Sequence, residues 1–262
     1  MATTTDPGID RPSGRGHGYL RWVEIDESAP SDGYPYALPA VAALRSAQRW
    51  ELDPAVTFLV GNNGTGKSTL VEAIAVATGF NPEGGSTNFR FTTRATESSL
   101  GESLKIVKGT RKPRTGFFLR AETFYNVATE IEALEEAGRP GLIASSYGGR
   151  SPHERSHGES FLALAVHRFG PNGLYLLDEP ESALSVHGCL ALLRRMVDLV
   201  EAGSQFIVAT HSPILLAYPG ASIWQIDSSG ELQRVSYDDA EPVRLHRDFL
   251  ANPGRYLHHL LA

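Results

Sequence analysis

The chain has 262 residues, 41% of them hydrophobic and 21% charged, which supports a sizeable core and suits one large α/β domain. A net charge of −6 excludes a global pull toward nucleic acid or anionic membrane, though not a local basic face. The single cysteine, Cys189, excludes an internal disulfide framework and suits a reducing compartment.

Residues 1–18, MATTTDPGIDRPSGRGHG, lack the apolar stretch of a signal peptide and read as a mobile tail. No apolar run approaches the ~20 residues of a membrane span. A soluble, cytoplasmic protein without membrane insertion is therefore expected. No repeat at solenoid spacing is visible. YLRWVEI (19–25) reads as an opening strand, and the proline-rich 26–39 as a loop. AVTFLV (55–60) is a short apolar run of the kind buried in a parallel sheet. From Ser68 the spacing turns helical, with Leu70, Ile74 and Ala77 on one face and Gly79 as the stop.

Residues 81–116 are rich in Gly, Ser and Thr and contain a basic piece, KIVKGTRKPR (105–114). GFFLRAETF (116–124) begins as a strand, and VATEIEALEEAG (127–138) looks helical. FLALAVHRF (161–169) is an apolar helix, PNG (171–173) a turn, and LYLLD (174–178) a second buried strand. In 185–203 the spacing puts Val186, Leu190, Leu193, Val197 and Val200 on one helical face. QFIVATH (205–211) is a third buried strand, SIWQI and ELQRVSY are shorter ones, and 241–262 reads as a closing helix. Strands alternating with helices imply one α/β domain over 19–262, a mostly parallel sheet flanked by helices, with a smaller helical lobe within about 81–170.

GNNGTGKST (61–69) fits G-x-x-x-x-G-K-[ST], between a strand and a helix as that pattern requires. In such a loop, successive backbone N–H groups and a helix N-terminus cradle phosphate. The nucleotide-binding positions are Gly61, Asn62, Asn63, Gly64, Thr65, Gly66, Lys67, Ser68 and Thr69. Lys67 is placed to reach the β- and γ-phosphates and the Ser68 hydroxyl to sit on Mg²⁺. LYLLDEPESAL (174–184) brings two acids to a strand tip, where ligands of open α/β sheets bind. Asp178 is the expected second partner of the metal and Glu179 the general base. Pro180 is expected to keep Glu179 extended, with the two carboxylates on opposite sides. His211, at the next buried strand's tip, can donate to the γ-phosphate region. The bland alternatives are a glycine turn with a solvated lysine, a solvated acidic strand end and a structural histidine; the three pieces together weigh against them.

ERSHGES (154–160) is harder to place. Ser156 and Glu159 satisfy a capping box before an apolar helix, and so do Ser151 and Glu154. A capped helix end with the Ser156 hydroxyl and the Gly158 amide is also an anion site, at which Gly158 would let a phosphate approach the backbone closely. The basic piece 105–114 is read first as a solvated face, with DNA contact as the sharper alternative. Cys189 reads as inert core. Trp22, Tyr34, Tyr36 and Trp50 precede the glycine loop, and any one of them could stack on adenine.

In this order the pieces resemble the ABC-type ATPases, the superfamily of transporter nucleotide-binding subunits and of SMC and RecF chromosome proteins. GNNGTGKST looks like the Walker A motif, LYLLDEPE like Walker B with the catalytic glutamate, SALS (182–185) like the D-loop, and His211 like the switch histidine. The likeness covers about residues 50–215. FFLRAETF, SHGESFL and THSPILLAYPGA resemble more narrowly a bacterial group of stand-alone ATPases of this length. SHGES stands where the family carries LSGGQ but departs at His157, Glu159 and Ser160. The family's Q-loop glutamine is replaced by Arg120, with Glu122 close by.

The resemblance implies Mg²⁺-dependent hydrolysis of ATP to ADP and phosphate by a head-to-tail homodimer, in which Ser156 and Gly158 complete the partner's site. It leaves three rivals for what the cycle drives: a RecF-like DNA transaction, a transporter motor subunit, and a slow nucleotide-gated binding module. The stretch between Arg120 and Ser156 is too short for SMC-type coiled-coil arms. A small-molecule P-loop kinase would not need DEPESALS together with SHGES.

Overall fold

A computed structural model of the chain describes residues 18–82, 84–86, 99–121, 156–227 and 230–261, and the single positions Phe124, Thr129, Glu135, Tyr147 and Gly149. In chain order the elements are β1 (Leu20–Ile25), α1 (Pro39–Ala47), β2 (Trp50–Glu51), β3 (Val56–Val60), α2 (Lys67–Ala77), β4 (Leu104–Lys108) and β5 (Thr115–Arg120), followed by α3 (His157–His167), β6 (Gly173–Asp178), α4 (Val186–Glu201), β7 (Gln205–Ala209), α5 (Pro213–Leu216), β8 (Ser222–Ile226), β9 (Leu232–Val235), α6 (Glu241–Ala251) and α7 (Pro253–Leu261). Much of the expected helical lobe, including most of 127–138, the box at Ser151 and Glu154, and Glu122, lies outside the described residues.

The strands sort into two sheets. Six form β5-β6-β7-β3-β8-β9, parallel throughout except for β9, which runs antiparallel to β8. The other three form an antiparallel β2-β1-β4 sheet, in which β1 pairs with a strand some eighty residues away. Period-2 alternation sends neighbouring residues of the buried strands to opposite faces. Phe58, Tyr175 and Phe206 join the core shared with α3 and α4. Leu59, Leu176 and Ile207 join the core shared with α1 and α2. Both faces are therefore covered, which explains why β3, β6 and β7 are buried along their whole length and mostly apolar.

Three expectations change. α4 buries only part of the predicted face: Val186 is 61% and Leu190 50% exposed, Leu193 and Val197 pack partly buried against the core, and Val200 is buried with Cys189, Leu192, Met196 and Leu199. The sequence carries two adjoining apolar stripes, and Cys189, Leu192, Met196, Leu199 also follow helical spacing; packing on the sheet chooses between them. The burial of Cys189 agrees with an inert core position. The closing helix is two helices, broken where Pro253 follows Asn252. They leave Leu245, Leu250, Leu257 and Leu260 largely exposed. Finally, α1 begins where 26–39 was read as loop, with Pro39 at its first position but no side-chain cap.

Candidate functional site

Strand order makes the site. β3 lies between β7 and β8, and β6 between β5 and β7. In register, Arg120 stands beside Asp178, Asp178 beside Ala209, and Ala209 beside Leu59. The loop after β3, the acids after β6 and the histidine after β7 thus leave one sheet edge side by side.

The loop after β3 is shaped by glycine. Gly66 has φ +90°, and a Cβ there would meet Leu38 Cβ at 2.9 Å. Only glycine suits both the conformation and the space. The Thr65 hydroxyl donates to the Asn62 carbonyl at 2.8 Å, and the Ala40 N–H donates to the Thr65 carbonyl at 2.8 Å, tying α1 to the loop. Lys67, 3% exposed, folds back so that Nζ donates to the carbonyls of Gly61 (2.8 Å) and Asn62 (3.1 Å). Burial pushes its pKa down, while Glu179, Asp178 and Glu181 oppose the shift. Ser68 opens α2 directly after it.

Asp178 is 5% exposed at the tip of β6. Arg120 reaches it from the next strand, Nε to Oδ2 at 3.4 Å, and extends Nη1 to Glu72 Oε2 of α2 at 2.5 Å. A guanidinium therefore joins α2 to the acid-tipped strand, at the position where the resembled family carries glutamine. Glu179 departs from expectation. It is left-handed, with φ 47° and ψ 51°, not extended. Its N–H remains bonded to the Ala209 carbonyl (2.9 Å) and its carbonyl accepts from both Ser182 N (3.0 Å) and Ser182 Oγ (2.8 Å). These bonds override the bias that Pro180 imposes. His211 Nε2 then faces Glu179 Oε1 at 3.8 Å. Burial lowers the imidazole pKa and Lys67 adds to that, favouring the neutral ring.

The structure brings Lys67, Asp178, Glu179 and His211 together. It also adds Glu181, which sequence reasoning passed over. Glu181 sits in the turn after β6, and its Oε1 accepts the His211 backbone N–H at 2.5 Å. The available signal was a further acid just beyond Glu179, in a turn that follows a buried strand.

Ser156 caps α3 with a complete box. Its N–H donates to Glu159 Oε2 at 3.0 Å, its Oγ to the same oxygen at 2.7 Å, and the Glu159 N–H donates to Oγ at 3.4 Å. Gly158 serves packing here, because a Cβ would meet the Ala183 carbonyl oxygen at 3.1 Å. The start of α3 is thus seated on the turn after β6. Ser156→Ala removes this cap and should cost about 1 kcal/mol. A lowered melting temperature relative to wild type would show it; an unchanged one would mean that the box carries no stability.

Of the four aromatic candidates, Trp50 and Tyr36 are buried and Tyr34 is 77% exposed. Trp22 donates Nε1 to Glu24 Oε1 and lies under the guanidiniums of Arg21 and Arg49, 5.0 and 5.8 Å from its centroid. In the basic piece, Lys105 pairs with Asp26 at 2.9 Å and Arg111 donates to Asn172 at 3.2 Å. Among the described residues no three His, Cys, Asp or Glu side chains cluster as a metal site, and no helix is long and apolar enough to cross a membrane.

A family model described as "AAA domain, putative AbiEii toxin, Type IV TA system" matches residues 130–217, and one described as "AAA domain" matches 43–133. The "Putative bifunctional cytochrome c-type biogenesis protein CcmAE" of Salmonella choleraesuis is 27% identical over 206 residues, covering 76% of this chain and 57% of that protein. The chain thus spans little more than half of that relative's length. The cytochrome c biogenesis ATP-binding export protein CcmA of Salmonella typhi is 29% identical over 170 residues, 63% of this chain and 78% of that one. The SMC head domain from Thermotoga maritima aligns with a TM-score of 0.41 at 16% identity, over 83% of this chain and 98% of that one. The two family models overlap at 130–133 and together run from the glycine loop past the acid-tipped strand, and the relatives include proteins named for ATP binding; over this span the chain is similar to AAA-domain and ABC-type ATPases.

Proposed function

We propose that the chain binds Mg²⁺-ATP at the edge formed by β3, β6 and β7, hydrolyses it to ADP and phosphate, and does so as an ATP-gated homodimer. The convergence of Lys67, Asp178, Glu179 and His211 on that edge carries the reading. The loop amides from Gly61 to Thr69 and Lys67 Nζ hold the phosphates. Ser68 and Asp178 suit Mg²⁺: one hydroxyl and one carboxylate leave its other positions to phosphate and water, the coordination this ion prefers. The metal supplies charge neutralisation on the phosphates. Glu179 takes the proton of the attacking water, and neutral His211 donates toward the γ-phosphate. Tyr34, exposed on the loop that delivers Leu38 to Gly66, is the ring for adenine. ATP turnover that requires Mg²⁺ and stops with chelator is the expected result; turnover indifferent to both would refute the reading.

In the homodimer the capped start of α3 meets the γ-phosphate held by the second copy. Its negative Glu159 must swing off Ser156 when that phosphate arrives, since two anions cannot share one helix end. Light scattering of a hydrolysis-deficient variant with saturating ATP should show the dimer mass; a persistent monomer would rule out the pairing.

Arg120 has a separate expected effect. Its cation lies beside the carboxylate that is to receive Mg²⁺. Arg120→Gln removes that competitor and should lower the half-saturating Mg²⁺ concentration about three- to tenfold, the scale of one partly buried charge interaction. Fluorescent-nucleotide binding titrated with Mg²⁺ measures it, and a raised or unchanged midpoint would contradict it.

A further inference from the structure

Glu181 has no role in the chemistry proposed above. It occupies the 3-10 turn Pro180–Ala183, and its side chain crosses to the neighbouring strand tip. Oε1 accepts the N–H of His211, thirty positions along the chain, at 2.5 Å. Oε2 is buried and has no hydrogen-bond partner among the described residues. Glu179 and His211, by contrast, do not hold each other, because 3.8 Å is too long for a hydrogen bond. Glu179 is fixed through its backbone, to Ala209 and Ser182. Glu181 ties the amide of the other partner to the same turn.

We propose that Glu181 is a positioning residue whose carboxyl clamps the backbone of His211 to the turn that carries Glu179, and so sets the distance between base and histidine. A carboxyl in this place, unlike a hydroxyl or an amide, also brings a protonation state. The titratable groups facing it are Lys67 from α2, Glu179 from its own turn, His211 after β7 and Cys189 from α4. Burial pushes the Glu181 pKa up and Glu179 adds to that, while the His211 amide and the Thr210 hydroxyl oppose it. The sign follows: its folded-state proton affinity exceeds the unfolded one. The favourable contribution is complete below the ordinary carboxylate pKa of about 4.3 and is lost as pH rises through the raised folded value. Above that value a second negative charge appears beside Glu179, while the ionised carboxyl accepts the His211 N–H more strongly, so the clamp itself persists.

The proposal rests on the ATPase reading, so one readout avoids ATP. In wild-type protein the ¹⁵N-labelled His211 amide should resonate downfield, as a proton donated to a carboxyl does. Glu181→Ala should move it upfield; Glu181→Gln, whose Oε1 can accept the same proton, should leave it near its wild-type place. In turnover, Glu181→Ala should lose about ten- to a hundredfold in kcat, the scale of a small misplacement of reacting groups, with KM for ATP within about twofold. Glu181→Gln should keep most of kcat at neutral pH. An unmoved His211 amide in Glu181→Ala overturns the clamp, and so does a Glu181→Gln protein that loses either the shift or the turnover. Should Glu181→Ala fail to fold, Glu181→Gln decides on the same two criteria. A wild-type protein without ATPase activity would remove the proposed function, while the amide shift would still decide the clamp.

Discussion

Lys67→Ala should weaken ATP binding by about 10²- to 10³-fold, the equivalent of about 3–4 kcal/mol, for removing one member of a buried charge set. In the structure the ammonium is held by two loop carbonyls and faces Glu179, Asp178 and Glu181. In the proposed binding mode Nζ would exchange those carbonyls for phosphate oxygens. Without it the same three carboxyls face the phosphates with no cation between, so the variant loses an attraction and gains a repulsion. Calorimetric titration with ATP measures the change. Lys67→Met, which keeps most of the buried volume, separates lost charge from a collapsed loop. An affinity within threefold of wild type in both variants would eliminate Lys67 as the phosphate ligand.

Glu179→Gln should leave ATP affinity close to wild type and lower kcat about 10²- to 10⁴-fold, the usual contribution of a positioned general base. The substitution is nearly isosteric, and the backbone bonds that fix the left-handed turn do not involve the side chain. Geometry should survive while the proton acceptor is lost. Neutral His211 can still donate, so bound ATP accumulates unhydrolysed. Single-turnover and steady-state measurements with the same preparation separate the two effects. Equal turnover in variant and wild type would sink the assignment of Glu179 as base.

The parts of this architecture that are legible in sequence share one property: their local pattern and their tertiary role agree. β3, β6 and β7 are mostly apolar runs because both faces of the sheet are covered, and the loop from Gly61 to Thr69 announces its own conformation. The parts that were not legible depend on distant neighbours. The antiparallel pairing of β1 with β4 leaves no periodic trace. α1 starts without a capping side chain. α4 offers two apolar stripes, and only contact with the sheet selects the one through Leu192 and Met196. At Glu179 the proline rule gave way to hydrogen bonds from Ser182 and to Ala209. Glu181 escaped notice because its partner is a backbone amide, which no side-chain motif encodes.

Arg195 of α4 donates to three carbonyls at the far end of α3: Ala165 through Nε at 3.3 Å, and Val166 and Phe169 through Nη2 at 3.1 and 2.5 Å. Gly158 seats the other end of α3 on Ala183, in the turn that leads into α4. α3 is thus pinned to the α4 unit at both ends and cannot fray, tilt or slide alone. Its amides should exchange with solvent together with those of α4, as one cooperative block. An event at Ser156 would then be felt some sixteen residues along α4 as a rigid displacement, rather than as local melting of a single helix turn.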